Sequence, residues 1–125
     1  MAEYLSPEWI REVAGAVAGS TEVGQAAVGV CLAVDVVVGS AGYCMTISDG
    51  TVEVQGGRSA RADLQLIQEP AIAVAIARGE LNAQRAFVDG TVRLVGRADQ
   101  FIAARGVLEA VDRATEGVRQ RTSYA

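Results

Sequence analysis

From residue 28 to residue 38 the chain alternates with a period of two. Val28, Val30, Leu32, Val34, Val36 and Val38 point one way, and smaller or charged residues, Asp35 among them, point the other. Successive side chains of an extended strand project to opposite faces, so this pattern predicts a long strand buried on one face. Its partners follow in sequence. After the turn-like Gly39-Ser40-Ala41-Gly42, residues 43–48 alternate again, and Asp49-Gly50 is a two-residue hairpin signal ahead of a third strand over 51–55. Pairing Val38 with Tyr43 sets Val36 opposite Met45 and Val34 opposite Ile47. Pairing Ser48 with Thr51 sets Ile47 opposite Val52 and Met45 opposite Val54. Both hairpins then bury the same face of one sheet.

The same register separates the two cysteines. Cys44 falls opposite Val37, about 20 Å along the strand from Cys31, whereas a disulfide tolerates about 7 Å between Cα atoms. Both are expected as free thiols. Residues 26–47 carry a single charge, Asp35, and their length alone suits a membrane span. An aspartate at the centre of a span costs about 2.5–3.5 kcal/mol, and the glycines and valines favour strands instead.

The rest of the chain alternates helices with short strands. Ser6-Pro7-Glu8 is a helix start, with Ser6 as N-cap and Pro7 where its missing N–H costs nothing. That helix is expected to reach residue 18, with Trp9, Ile10, Val13, Ala14 and Val17 forming a stripe that docks on the sheet. A polar connection over 56–61 leads to a strand at 62–67. Pro70 opens an apolar helix over 71–78 that Gly79 stops, and a second short helix is capped by Asn82 and ended by Gly90. A fifth strand covers 91–95, and a long helix runs from 98 to about 118. One domain spans residues 1–125, for no linker or low-complexity run divides it.

Composition excludes most familiar active sites. The chain has no histidine, and each of its 11 basic residues is an arginine. Histidine-based dyads and triads, the phosphate-loop lysine, Schiff-base chemistry and imidazole metal sites are all ruled out. No cofactor and no metal is expected. A formal charge of −4 gives no overall basic surface for a phosphate backbone, so nucleic acid is not an expected partner. The N-terminus lacks a secretory signal, and Thr122-Ser123-Tyr124-Ala125 differs from the peroxisomal Ser-Lys-Leu address, so a cytoplasmic protein without stable membrane insertion is expected.

The helix Ala71-Ile72-Ala73-Val74-Ala75-Ile76-Ala77 is apolar on every side, so it needs cover on more than one of them. Either it packs tightly over the sheet, or its small residues and the valine-lined sheet leave room for an aliphatic guest.

Three groups of residues resemble a known family. They are Ala62-Asp63-Leu64-Gln65-Leu66, then Ala75-Ile76-Ala77-Arg78-Gly79-Glu80-Leu81, then the run from Gln84 through Ala86-Phe87 to Gly96. Their order and separation resemble the second half of the type-2 sterol carrier protein domain, and the order of elements is similar along most of the chain. The resemblance implies an α+β fold, a five-stranded antiparallel sheet covered by helices. It also implies an apolar tunnel between the layers that holds a fatty acid, fatty acyl-CoA or sterol-like lipid without covalent chemistry. The missing import address likens the chain to a stand-alone bacterial member.

The expected tunnel wall consists of Val34, Val36, Met45 and Ile47 from the sheet, with Ile72, Ile76, Leu81, Phe87, Phe101 and Leu108 from the helices. Each of these also suits an ordinary core. Arg78, Arg85, Arg93 and Arg97 are candidates for a headgroup carboxylate or phosphate, or else are solvated and paired with neighbours such as Glu80 and Asp89. Two other functions stay open: a small cyclase or isomerase using Asp35, Asp63 or Tyr43, and a lipid-presenting accessory subunit that dimerises or docks on a biosynthetic enzyme. On alternation alone Asp35 is expected as a solvated carboxylate.

Overall fold

A computed structural model describes residues 2–59 and 61–124, apart from the side chain of Gln84. The readings made at Met1, Ala60 and Ala125 lie outside it. The elements run α1 (Pro7–Ala18), α2 (Thr21–Ala26), β1 (Cys31–Val38), β2 (Ala41–Ser48), β3 (Thr51–Gly56), β4 (Leu64–Gln68), α3 (Pro70–Ala77), α4 (Ala83–Val88), β5 (Val92–Gly96), α5 (Ala98–Ala114) and α6 (Glu116–Gln120).

Local chemistry accounts for the helix starts. The hydroxyl of Ser6 accepts from the Trp9 amide, that of Ser20 from Val23, and the carboxamide oxygen of Asn82 from Arg85. Each satisfies an amide that the first helical turn leaves without a partner. Trp9, Ile10, Val13 and Val17 are buried as the stripe on α1 requires. The helix α2 is new relative to the sequence. It ends at Ala26 and a turn follows, so Val28 precedes β1 and is 68% exposed. Gly29, at φ +79°, turns the chain toward β1 in a conformation that glycine adopts without a steric penalty. The long C-terminal helix is also divided, at Thr115, whose hydroxyl donates to the carbonyls of Val111 and Asp112 and competes with the helical ladder.

The sheet order is β3-β2-β1-β4-β5. The hairpin β2–β3 has the expected register. The hairpin β1–β2 is shifted by two residues: Val36 faces Tyr43, Val34 faces Met45, and Leu32 faces Ile47. Its turn is the two-residue Gly39-Ser40, with Gly39 at φ +60°, where a four-residue turn is expected. Gly42 belongs to the strand, because a Cβ there would collide with the Val36 carbonyl oxygen. A shift of two keeps every side chain on its face. Cys44 accordingly lies opposite Asp35, not Val37, and both cysteines are free.

The sheet is mixed, not wholly antiparallel, since β4 pairs with β1 in parallel. Strand β3 runs in the same direction as β1, and the chain crosses β2 and β1 by way of residues 57–59 and 61–63 to add β4 at the far side. This strap passes over the face opposite the helices. There the Ser59 amide donates to Asp35 Oδ1 at 3.0 Å and the Ala33 amide to Asp63 Oδ2 at 2.7 Å. Asp35 is therefore fully buried, which corrects the expectation of a solvated carboxylate. Alternation places it on the second face, and there the strap covers Asp35 itself while Thr46, Glu53 and Gln55 on the same face stay exposed. Cys44 is buried beside it, and burial followed by the Asp35 carboxyl pushes its thiol up, which keeps it protonated and unreactive.

The two hairpin registers differ in what they ask of Gly42. Gly42→Ala is expected to cost about 3 kcal/mol, the scale of a backbone clash that a strand cannot relax. Urea denaturation checks this, and a loss below about 0.5 kcal/mol would place Gly42 in a loop instead.

Candidate functional site

Helices cover the other face of the sheet unevenly. Around Leu32, Val34 and Ile47 the interior is solid: these residues belong to one buried cluster with Val17, Val23, Ala27 and Val107. Around Val36, Tyr43, Met45 and Leu66 the sheet instead forms the floor of a hollow of about 860 Å³. This lies toward the upper end of the roughly 300–1,000 Å³ of small-molecule sites. The roof is Ala73, Ile76 and Ala77 of α3 with Phe87 of α4, and one side is the row Phe101, Arg105, Leu108 and Asp112 of α5.

The hollow follows from the helix that is apolar on every side. Among the residues of α3 only Ala73 is buried, while Ile72, Val74 and Ile76 are half-buried. Pro70 starts the helix beside Gly39, and Gly79, at φ +78°, ends it after two turns. Its small side chains then span the sheet without filling the space beneath them. The rings of Phe87 and Phe101 meet 5.6 Å apart and join α4 to α5 across one side of the hollow. At the other end Trp9 stacks edge-on between Tyr4 and Tyr43, at 5.1 and 5.5 Å. Its indole N–H donates to Thr122 Oγ1 at 3.1 Å, which fixes the ring as an end wall.

Of the expected wall, Val36, Met45, Ile76, Phe87, Phe101 and Leu108 line the hollow. Val34 and Ile47 do not, since the solid half of the interior encloses them. Ile72, on the edge of the arc formed by Ala73, Ile76 and Ala77, and Leu81, in the turn before α4, are half-buried and outside the lining. The headgroup arginines are not brought together. Arg85 pairs with Asp89 and Arg97 with Asp99 at the surface, Arg93 is exposed, and Arg78 lies 5.5 Å from the Tyr124 ring centre. The arginines that do reach the lining are Arg105, Arg113 and Arg119. For Arg105 helical spacing on α5 could have shown this, since residues 101, 105, 108 and 112 share one face, although simple polarity assigns Arg105 and Asp112 to the face opposite Phe101 and Leu108.

The three residues weighed for chemistry are also dispersed. Tyr43 lines the hollow, Asp35 is on the opposite face of the sheet, and Asp63 is engaged by the Ala33 amide. Burial pushes the Tyr43 phenol up to about 12, with Arg119 pulling it down and Asp112 pushing it up. Among the described residues no helix is long and apolar enough to cross a membrane.

A phenol whose folded pKa is raised stabilises the fold fully below its unfolded value near 10.0, and that contribution is lost as pH rises toward about 12. Urea midpoints of the native protein should therefore fall over this interval. In Tyr43→Phe the fall should be shallower, with the slope from Tyr4, whose phenol burial also raises, remaining. Equal slopes in the two proteins would contradict a desolvated Tyr43.

A model of the SCP-2 sterol transfer family matches residues 17–108. Among curated proteins no sequence matches the chain. Among solved structures, a conserved hypothetical protein from Thermus thermophilus is similar with a TM-score of 0.77 at 14% identity, over 94% of this chain and 91% of that one. The crystal structure of a sterol carrier protein 2 is similar with a TM-score of 0.68 at 15% identity, over 94% of this chain and 98% of the other. A ubiquinone synthesis protein, UbiJ-SCP2, is similar with a TM-score of 0.56 at 16% identity, over 84% and 86% of the two chains.

Proposed function

The chain belongs to the SCP-2 sterol transfer family, and from that premise we propose that it binds one hydrophobic molecule in the hollow between its sheet and its helices and carries or presents it unchanged. The observation that supports this reading most is the hollow itself, of about 860 Å³, lined chiefly by aliphatic and aromatic side chains with charged groups of α5 and α6 along one side. A chain lying along this wall withdraws apolar surface from water and gains dispersion contacts. A guest of twelve carbons recovers about 0.8 kcal/mol per methylene, or about 10 kcal/mol before the costs of ordering. Micromolar affinity needs about 8 kcal/mol, so the apolar contacts supply most of what binding requires and polar contacts at the guest's end make up the remainder.

A non-catalytic role accords with the dispersal of Asp35, Asp63 and Tyr43, which gives the hollow no acid–base pair from that set. The likeness to a ubiquinone synthesis protein favours a second reading, in which the bound lipid is presented to a biosynthetic partner. The two readings share the hollow and differ in who receives its contents. The single-domain organisation and the cytoplasmic setting belong to the same proposal.

Charge placed on the wall tests the occupancy. Ile76→Arg and Phe87→Glu are each expected to weaken binding of an uncharged fluorescent acyl probe by about tenfold or more, because a buried charge must give up its hydration to admit the chain. Circular dichroism establishes that each variant is folded. Unchanged affinity in folded variants would remove the hollow as the binding site.

A further inference from the structure

Building on the lipid-binding reading, we propose that the hollow selects guests whose polar end is uncharged, such as a hydroxyl, carbonyl or ester, over carboxylates, and that Glu109, Asp112 and Glu22 impose this selection. An anionic end is held in such a lining by a cation free to pair with it, and the candidate cations stand along the solvent-exposed side of the hollow, where their carboxylate partners are also exposed. The lining supplies guanidinium groups from Arg105, Arg113 and Arg119, but a carboxylate of the chain already holds each of them.

Arg105 Nε donates to Glu109 Oε1 at 3.2 Å. Arg113 places Nε and Nη2 2.9 and 2.7 Å from Glu22 Oε2. Arg119 Nη1 contacts Asp112 Oδ1 at 3.3 Å, the Asp112 carbonyl at 2.9 Å and Thr115 Oγ1 at 2.7 Å. Three positive groups are thus matched by three negative ones, and Glu109 and Asp112 themselves line the hollow. A carboxylate arriving there meets a neutral pair at best and repulsion from the resident acid at worst. Arg78, with no carboxylate partner among the described residues, is outside the lining and lies over the Tyr124 ring.

The polar groups left for a guest are neutral. Tyr43 and Gln68 line the hollow, and among the described residues neither side chain is engaged in a hydrogen bond within the chain. A phenol and a carboxamide each donate and accept, which matches a hydroxyl or a carbonyl oxygen. These groups would orient an uncharged polar end without adding a charge of their own.

The test compares two ligands with the same chain, 1-dodecanol and dodecanoate, displacing an uncharged fluorescent acyl probe at about pH 8, where the acid is ionised. In the native protein dodecanol should displace the probe at about tenfold lower concentration than dodecanoate. A difference in hydrophobicity alone would give the same order, so the deciding arm is Glu109→Gln and Asp112→Asn, each removing the negative charge beside one arginine of the lining. Both should raise dodecanoate affinity about fivefold and leave dodecanol within about twofold. Dodecanoate binding as tightly as dodecanol in the native protein would overturn the selection, as would substitutions that shift both ligands alike or neither. If neither ligand binds the folded native protein, the lipid-binding reading falls and this selection falls with it.

Discussion

A helix that is apolar on every side must be covered on more than one, and in this fold α3 is covered on too few. Only Ala73 of Pro70–Ala77 is buried, and the sheet beneath it is floored by Val36, Met45 and Leu66 without side chains from the roof to fill the gap. Interiors normally reach the packing density of organic crystals, and the hollow of about 860 Å³ is the part of this fold that the chain's own side chains leave unpacked. The remainder of the structure holds that hollow open. The Trp9–Thr122 hydrogen bond fixes one end, the Phe87–Phe101 contact joins two walls, and the solid core around Val34 and Ile47 anchors the sheet.

The back of the sheet solves a different problem. A crossover from β3 to β4 has to pass over two strands, and residues 57–59 and 61–63 do so through hydrogen bonds between carboxylates and backbone amides: Ser59 to Asp35, and Ala33 to Asp63. Asp35 is fully buried as a result, and its Oδ2 has no hydrogen-bond partner among the described residues. A buried acceptor without a partner is destabilising, and here it accompanies the strap that allows β4 to join β1 in parallel. The hollow on the helical face is separated from Asp35 and Cys44 by the full thickness of the sheet.

Much of this was legible in the sequence where one local rule decides the outcome. Period-two alternation gave the strands, Ser6-Pro7 and Asn82 gave helix starts, and Asp49-Gly50 gave a hairpin. The residues resembling the sterol carrier domain pointed to the family. Errors arose where two rules compete. Gly39-Ser40-Ala41-Gly42 offers two glycines to one turn, and only the position of the Val36 carbonyl decides that Gly42 belongs to the strand. Asp35 alternates outward, and no local pattern shows that a distant strap will bury it. Within the expected wall, Val34 and Met45 have the same apolar character and the same face. Which of them borders empty space depends on where α3 stops, a tertiary fact. The arginines near residues 78–97 were drawn together by sequence proximity, whereas Arg105, which reaches the hollow, shares a helical face on α5 with Phe101, Leu108 and Asp112.

Carriage of a lipid by this fold requires a guest that occupies the interior and not the surface. An isotope-filtered NOE experiment on methyl-labelled protein loaded with dodecanol tests this directly. Cross-peaks from the chain methylenes to the methyl groups of Met45, Ile76 and Leu108, with none to Val34 or Ile47, are the predicted result. Cross-peaks confined to the exposed Val88 and Ile102 would mean adsorption on the outside and would contradict it.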